Sequence, residues 1–247
     1  SPFQAPEKYL KKFAHLAEAQ AGGKNRNLRQ KVAAMVSCMD DGIGQILRAI
    51  DDSSEADDTL VWFFSDNGGV SAIADNNLPL RGNKLDVWEG GVRVPAAIRW
   101  PGGGIVGGGK VSVALSCIDV LPTLIDLCGL TVDEETVFDG VSFKPLLTGA
   151  EKPKSLDRTL IESYSGTVMT EQWRLVTGKE LYDIQQDPAQ ENDVAKDHPE
   201  LVKQFSEALT KNRENDYTVT PRIRVGSDEQ PDQEFTIYHW YDRHGFF

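Results

Sequence analysis

The chain has few of the residues that mark several common protein classes. Its 247 residues include only three cysteines, at positions 38, 117 and 128. Three cysteines cannot all pair, which argues against a disulfide-stapled scaffold, and their apolar neighbours predict core packing. No apolar run approaches the ~20 residues that a membrane helix needs, so we expect no membrane span.

Positive charge is also scarce. Lys and Arg total 26 against 38 Asp and Glu, for a formal net charge of −12. Nucleic-acid binding requires a basic face, so we expect no nucleic-acid partner. Apolar residues make up 40% and charged residues 26% of the chain, which is the composition of a globular protein. The length allows one large core or two modest ones.

An apolar run at residues 59–64 leads directly into a polar motif. The run, Thr-Leu-Val-Trp-Phe-Phe, predicts a buried strand of an α/β sheet, and Ser-Asp-Asn-Gly-Gly follows at residues 65–69. Asp66 and Asn67 therefore lie at the carboxyl end of a strand, where the ligand sites of open α/β sheets gather. A carboxylate beside an amide oxygen suits a hard cation such as Ca²⁺ or Mg²⁺. The same residues also form a good turn, so this motif alone leaves both interpretations open.

Two more motifs follow within 30 residues. Leu-Arg-Gly-Asn-Lys at residues 80–84 brings Lys84 within loop reach of the first motif, and its positive charge suits an anionic substrate. Trp-Glu-Gly-Gly-Val-Arg-Val-Pro occupies residues 88–95. We expect the two arginines of these motifs to support the loops by salt bridges, and the tryptophan to support them by packing.

In this order, the three motifs resemble those of the sulfatase family, the arylsulfatase-like branch of the alkaline phosphatase superfamily. The resemblance extends over roughly residues 1–215 and includes three further segments, at 119–124, 139–149 and 180–184. It implies that Asp66 and Asn67 are Ca²⁺ ligands and that Lys84, as a catalytic and substrate-binding residue, contacts the sulfate or the leaving oxygen. It also implies an aryl or carbohydrate sulfate ester as substrate and a periplasmic or secreted location.

The nucleophile motif of the family does not occur in this sequence. Sulfatases of this kind carry Cys-x-Pro-Ser-Arg, or a serine version, whose first residue is oxidised to formylglycine; none of the three cysteines here is followed by Pro-Ser-Arg. We therefore expect the C-terminal portion of a sulfatase, inactive alone, with an exposed apolar face that pairs with an N-terminal fragment or a second copy.

Two other functions remain open at this point. One is a non-catalytic binding protein that retains the sulfatase fold. The other is a phosphodiesterase or phosphonate hydrolase of the same superfamily. Asn67 argues against the second, because those enzymes often carry histidine at the matching position.

The rest of the chain predicts an α/β fold in two parts. Residues 1–150 should form the C-terminal part of the catalytic α/β domain, with part of a large mixed sheet flanked by helices. In it, apolar residues at three- and four-residue steps predict a helix over 28–50, whose glycines at 42 and 44 indicate close packing. Asp119 should cap a second helix that ends at Gly129.

Residues 151–247 should form a small α+β subdomain. Four short apolar runs after residue 158 predict a small antiparallel sheet. A C-terminal helix with an apolar stripe at residues 201, 202, 205 and 209 should follow, and then a polar tail with aromatic residues near its end.

Overall fold

A computed structural model describes residues 3–17, 27–73, 76–132, 136–149, 156–162, 165–214, 222–224 and 234–236. The fold is mixed α/β, as predicted. The helices and strands of the described residues are, in chain order, α1 (Glu7–Lys12), α2 (Leu28–Asp51), β1 (Val61–Phe64), α3 (Glu89–Val92), β2 (Ala96–Arg99), α4 (Val120–Cys128), α5 (Lys144–Thr148), β3 (Leu160–Glu162), β4 (Thr167–Met169), β5 (Trp173–Val176), β6 (Glu180–Asp183), α6 (Pro199–Glu214), β7 (Arg222–Arg224) and β8 (Glu234–Thr236). No helix among these residues is long and apolar enough to cross a membrane.

Helix α2 forms where the apolar spacing predicts it, but much of its apolar surface is uncovered. Val36, Met39 and Ile46 are exposed. Helix α1 covers another part of α2, where the Tyr9 hydroxyl donates a 2.8 Å hydrogen bond to Asp41. The prediction of close packing at Gly42 is wrong, because a Cβ built there meets no atom within 4 Å.

Strand β1 pairs with β2 in an antiparallel two-stranded sheet, with Val61 opposite Arg99 and Phe64 opposite Ala96. One side chain of β1 packs inward, since the Trp62 ring lies edge-on to Phe143 at 5.5 Å. Phe63 and Phe64 are 38% and 45% exposed, so the prediction of a buried strand is wrong for these two residues. In the described part of the chain β1 has no strand other than β2 beside it, so its other edge is open.

Helix α4 begins and ends as predicted, and Gly129 closes it with a φ of 63°. Asp119 takes part in capping as expected, because it forms a capping box with Ser116 around the 3₁₀ turn Cys117–Asp119 that leads into α4, and it also makes contacts that the sequence did not predict. Its fully buried carboxylate accepts hydrogen bonds from the amides of Ser116 (2.7 Å) and Val141 (3.0 Å) and forms an ion pair with Arg158 at 2.5 Å. Burial disfavours the charged form, but these bonds outweigh it and hold the pKa of Asp119 below its usual value.

The predicted antiparallel sheet is present as four strands in the order β3-β4-β5-β6. The predicted helix, α6, packs on it, and the two share one core of buried side chains. That core consists of Val168, Leu175, Leu181, Phe205 and Leu209. The periodicity of short strands and of an amphipathic helix was therefore sufficient to predict this part of the fold.

The prediction that the cysteines pack in the core is wrong for two of the three. Cys38 is half-buried, whereas Cys117 and Cys128 are exposed. Ile118, next to Cys117, is exposed as well, but Leu127, next to Cys128, is buried, so an apolar neighbour does not decide the burial of a cysteine. The division into residues 1–150 and 151–247 stays a prediction, and most of the aromatic tail lies outside the described residues.

Candidate functional site

The three sequence motifs form three loops that touch one another. We call residues 65–69 the first loop, 80–84 the second and 88–95 the third. The amide of Gly68 donates to the carbonyl of Gly91 at 2.9 Å, which joins the first loop to the third. The amide of Lys84 donates to the carbonyl of Gly69 at 2.8 Å, which joins the second loop to the first.

The glycines of the motifs allow this close approach. A Cβ at Gly68 would lie 1.8 Å from the carbonyl oxygen of Gly90, and one at Gly90 would lie 2.5 Å from that of Gly82. A Cβ at Gly91 would meet the carbonyl of Asp86 at 2.2 Å. All these contacts are with backbone atoms, which cannot move aside as a side chain can. The glycines are therefore needed where one loop backbone lies against another.

Asn77 joins the first and second loops through its side chain. Its Oδ1 accepts from the amide of Gly69 at 2.8 Å, and its Nδ2 donates to the carbonyls of Gly69 (3.2 Å) and Gly82 (2.9 Å). Sequence reasoning missed this residue. Its only signal was a position in a polar stretch between two motifs.

The three predicted site residues all lie on this loop cluster. Asp66 is exposed at the end of β1, and Asn67 and Lys84 are half-buried. Asp66 Oδ1 accepts from the Asn67 amide at 2.9 Å, and Asn67 Nδ2 donates to the Gly68 carbonyl at 2.8 Å. Both bonds are local to the first loop, and only the second uses the Asn67 side chain, through its nitrogen.

Asp66 and Asn67 match part of a Ca²⁺ shell. Both present oxygen atoms, which a hard cation prefers, but such a cation takes about six to eight of them. Among the described residues, no three His, Cys, Asp or Glu side chains are grouped so that they could hold a metal ion. The chemistry of the two residues therefore fits the ion, while their number fits only a partial site.

Arg81 and Trp88 support the second and third loops. The Arg81 guanidinium lies over the Trp88 ring at 3.5 Å. Its Nη1 also donates to the carbonyl of Gln190 (3.0 Å) and to the Tyr182 hydroxyl (3.3 Å). Packing of Trp88 is as predicted, whereas Arg81 makes these contacts where we expected a salt bridge.

Tyr182 lies at the edge of this group. Burial and a 2.7 Å hydrogen bond to Glu180 raise the pKa of Tyr182 to about 12, against the opposing effect of Arg81. The hydroxyl therefore stays protonated at neutral pH and keeps its bond to Glu180.

The salt bridge predicted for the second motif arginine is present, because Arg93 lies 3.7 Å from the carboxylate of Glu89.

Glu89 is the buried acid of the third loop. Its carboxylate pairs with Arg174 at 2.7 Å, and both side chains are 5% exposed. Its amide donates to Oε1 of Gln190 at 2.7 Å. Burial lowers the pKa of Arg174, and the charge of Glu89 opposes that effect. Arg174 and Gln190 were missed by sequence reasoning, because neither belongs to a motif.

Comparisons with known proteins agree with the motifs. A family model described as Sulfatase matches residues 1–130. A second, described as N-sulphoglucosamine sulphohydrolase, C-terminal, matches residues 83–215.

Among curated relatives, the steryl-sulfatase of Rattus norvegicus is 38% identical over 144 residues, which are 55% of this chain and 24% of that protein. The choline-sulfatase of Rhizobium meliloti is 30% identical over 179 residues, which are 69% of this chain and 33% of that protein. The chain thus spans between a quarter and a third of the length of these relatives.

Solved structures give the same result. The crystal structure of Ps i-CgsB in complex with k-i-k-neocarrahexaose superposes with a TM-score of 0.70 at 28% identity, over 85% of this chain and 47% of that one. A sulfatase structure from Bacteroides fragilis, called putative in its description, matches with a TM-score of 0.63 at 22% identity, which supports the fold alone. The Sulfatase model alone matches more than half of the 247 residues, and this chain belongs to the sulfatase family.

Proposed function

We propose that this chain supplies part of the active site of a sulfuric ester hydrolase. Asp66 and Asn67 are proposed as Ca²⁺ ligands, and Lys84 as the catalytic residue that contacts the sulfate group. The observation that carries the proposal is the 2.8 Å hydrogen bond from the Lys84 amide to Gly69, two residues after Asn67. It holds the lysine-bearing loop against the loop of the two oxygen ligands.

Each of these residues has a chemical task in sulfate ester cleavage. The reaction needs a nucleophile at sulfur, positive charge near the sulfate oxygens and an acid for the leaving alcohol. The Lys84 ammonium would bind the sulfate oxygens or the leaving oxygen. A Ca²⁺ ion on Asp66 and Asn67 would add positive charge at the same group. Formylglycine is proposed to come from a segment outside these 247 residues, because the nucleophile motif is not among them.

The substrate class is proposed as an aryl or carbohydrate sulfate ester. Some of the relatives support this range by name, since they include arylsulfatases and a structure with a bound carbohydrate, whereas the steryl-sulfatase and the choline-sulfatase are named for other esters. A periplasmic or secreted location is part of the same proposal. A non-catalytic binding protein is the second candidate, and the lack of the nucleophile motif is the observation that favours it.

Titration with Ca²⁺ and with sodium sulfate, followed by amide NMR shifts, tests the site. We expect weak Ca²⁺ binding that shifts the amides of Asp66 and Asn67, and sulfate binding that shifts Lys84. Asp66→Asn should weaken Ca²⁺ binding at least about tenfold, which is ~1.4 kcal/mol. Lys84→Met should weaken sulfate binding by a similar factor.

Matched controls remove the same charges elsewhere. Asp58→Asn and Lys110→Met change exposed residues outside the three loops and should leave both affinities within about twofold. If Ca²⁺ fails to shift Asp66 and Asn67 even in the unaltered chain, the metal assignment is wrong. If Lys110→Met weakens sulfate binding as much as Lys84→Met, the lysine assignment is wrong.

The partner is proposed to be the N-terminal segment of a sulfatase fold. The exposed apolar side chains of α2, Val36, Met39 and Ile46, share one side of the helix and form a face of the kind that pairs with another polypeptide, and Phe63 and Phe64 of β1 are exposed as well. The matched region is only 47% of the Ps i-CgsB chain, so that fold contains about as much chain again to cover such a face.

Light scattering tests whether this face associates. Without the segment, we expect the purified 247-residue chain to form dimers or larger species through the exposed face. Ile46→Glu should reduce this association, because it places a charge on the face, whereas Val137→Glu changes an apolar residue that is 91% exposed elsewhere and should not. A monodisperse monomer with no second polypeptide on a gel would contradict the expectation.

A further inference from the structure

We infer that Arg174 and Gln190 position Lys84 for the sulfate group by holding the third loop at Glu89. The inference rests on the proposed function, since it takes Lys84 as the residue that contacts sulfate. Neither Arg174 nor Gln190 belongs to a sequence motif. They follow Glu89, the residue of the loop that they hold, by 85 and 101 positions in the chain.

Arg174 binds the third loop and the residue before it. Its Nη1 donates to the carboxylate of Glu89 at 2.7 Å, and its Nη2 donates to the carbonyl of Val87 at 2.8 Å. Its Nε also reaches that carbonyl, at 3.2 Å. A planar guanidinium that bonds acceptors on both sides of Trp88 restricts the direction as well as the distance of the loop.

Gln190 binds the chain on both sides of Lys84. Its side-chain oxygen accepts from the amide of Glu89 at 2.7 Å, and its backbone carbonyl accepts from Arg81 at 3.0 Å. Arg81 precedes Lys84 by three residues and Glu89 follows it by five. The Gln190 side chain is fully buried, so its bond with the Glu89 amide is made away from competing water.

Backbone hydrogen bonds connect these anchored residues to Lys84. The amide of Gly90 donates to the carbonyl of Arg81 at 2.7 Å, which closes the segment between them into one unit. Lys84 lies inside that segment, and its own amide is bonded to Gly69 at 2.8 Å. A shift of Glu89 therefore shifts Gly90 and the backbone on which Lys84 stands.

The energetics of the Arg174–Glu89 pair agree with a positioning role. Removing two charges from water costs several kcal/mol per ion, and a buried pair often adds no net stability over apolar residues of similar size. The pair nevertheless occupies a site where both side chains are 5% exposed. Its defined geometry is the property that an apolar pair cannot reproduce.

Hydrogen exchange in the 247-residue chain tests the inference. Arg174→Met should raise the exchange rates of the Lys84 and Gly68 amides at least tenfold and weaken binding of inorganic sulfate about fivefold. Gln190→Met should act in the same direction at the same amides. The double variant Arg174→Met/Glu89→Met removes the unpaired buried carboxylate. It should recover the melting temperature but not the exchange protection of Lys84.

Arg158→Met is the matched control. Arg158 also forms an ion pair with a buried acid, the fully buried Asp119, but among the described residues it has no bond to the three loops. The variant should leave exchange at Lys84 within twofold. The inference is overturned if Arg158→Met raises that exchange as much as Arg174→Met, or if the double variant restores it to the unaltered rate. If sulfate does not shift Lys84 in the unaltered chain, the proposed function fails, whereas the exchange rates still decide the positioning role.

Discussion

Gly68→Ala is expected to weaken both Ca²⁺ and sulfate binding at least about tenfold, or ~1.4 kcal/mol. The added Cβ would lie 1.8 Å from the carbonyl oxygen of Gly90 and 3.1 Å from the Cα of Gly91. Because these are backbone atoms, the first and third loops must separate. The separation breaks the bond between Gly68 and Gly91 and disturbs the placement of Asp66 and Asn67. We also expect unfolding free energy to fall by about 1–3 kcal/mol, as overpacked sites typically do.

The matched control is Gly42→Ala. Gly42 lies inside α2, and a Cβ there meets nothing within 4 Å. Alanine should stabilise the helix by about 0.5–1 kcal/mol, because glycine loses more backbone entropy on folding. Denaturant unfolding and ligand titration of both variants give the comparison. Unchanged Ca²⁺ and sulfate affinities in Gly68→Ala would show that the contact between the loops is not needed for the site.

The second large effect is an absence of turnover. We expect the purified 247-residue chain to hydrolyse p-nitrophenyl sulfate no faster than buffer does. The sequence contains no Cys-x-Pro-Ser-Arg or serine equivalent, so no residue can become the formylglycine nucleophile of the family. Without covalent attack at sulfur, the remaining groups can only bind and polarise the ester.

Release of p-nitrophenol, measured by absorbance, checks this expectation, with an intact family member as positive control. Asp66→Ala provides the decisive comparison. Turnover by the unaltered chain that this substitution abolishes would contradict the prediction. It would also mean that a different nucleophile serves the same site.

Local sequence patterns predicted the regular elements of this chain well. The spacing of apolar residues predicted α2 and α6, and the positions of Asp119 and Gly129 predicted the extent of α4. These predictions succeed because a helix face, its first turn and its end are set by residues a few positions apart. The four short apolar runs likewise predicted the strands β3–β6, because each run is local in the sequence.

The burial of individual side chains was predicted less well, because burial depends on contacts with distant parts of the chain. An apolar side chain favours burial, but the atoms that cover it belong to other parts of the fold. Phe63, Phe64 and Cys128 are apolar or weakly polar and still exposed. Asp119 shows the reverse case, since this capping residue is charged and still fully buried, where Val141 and Arg158 from later parts of the chain bind its carboxylate.

The sequence by itself determined the family and the three site motifs, and its assignment of Asp66, Asn67 and Lys84 to a ligand site stays a prediction. The motifs can be recognised in the sequence because each is a short run in which polar or charged residues and glycines are adjacent. Only the tertiary structure decided what holds the motifs together. Arg174 and Gln190 reach Glu89 across 85 and 101 residues of chain, and no local period or spacing marks such a contact. Their partners are chosen by the packing of β5 and the chain after β6 against the loops, which exists only once the chain has folded.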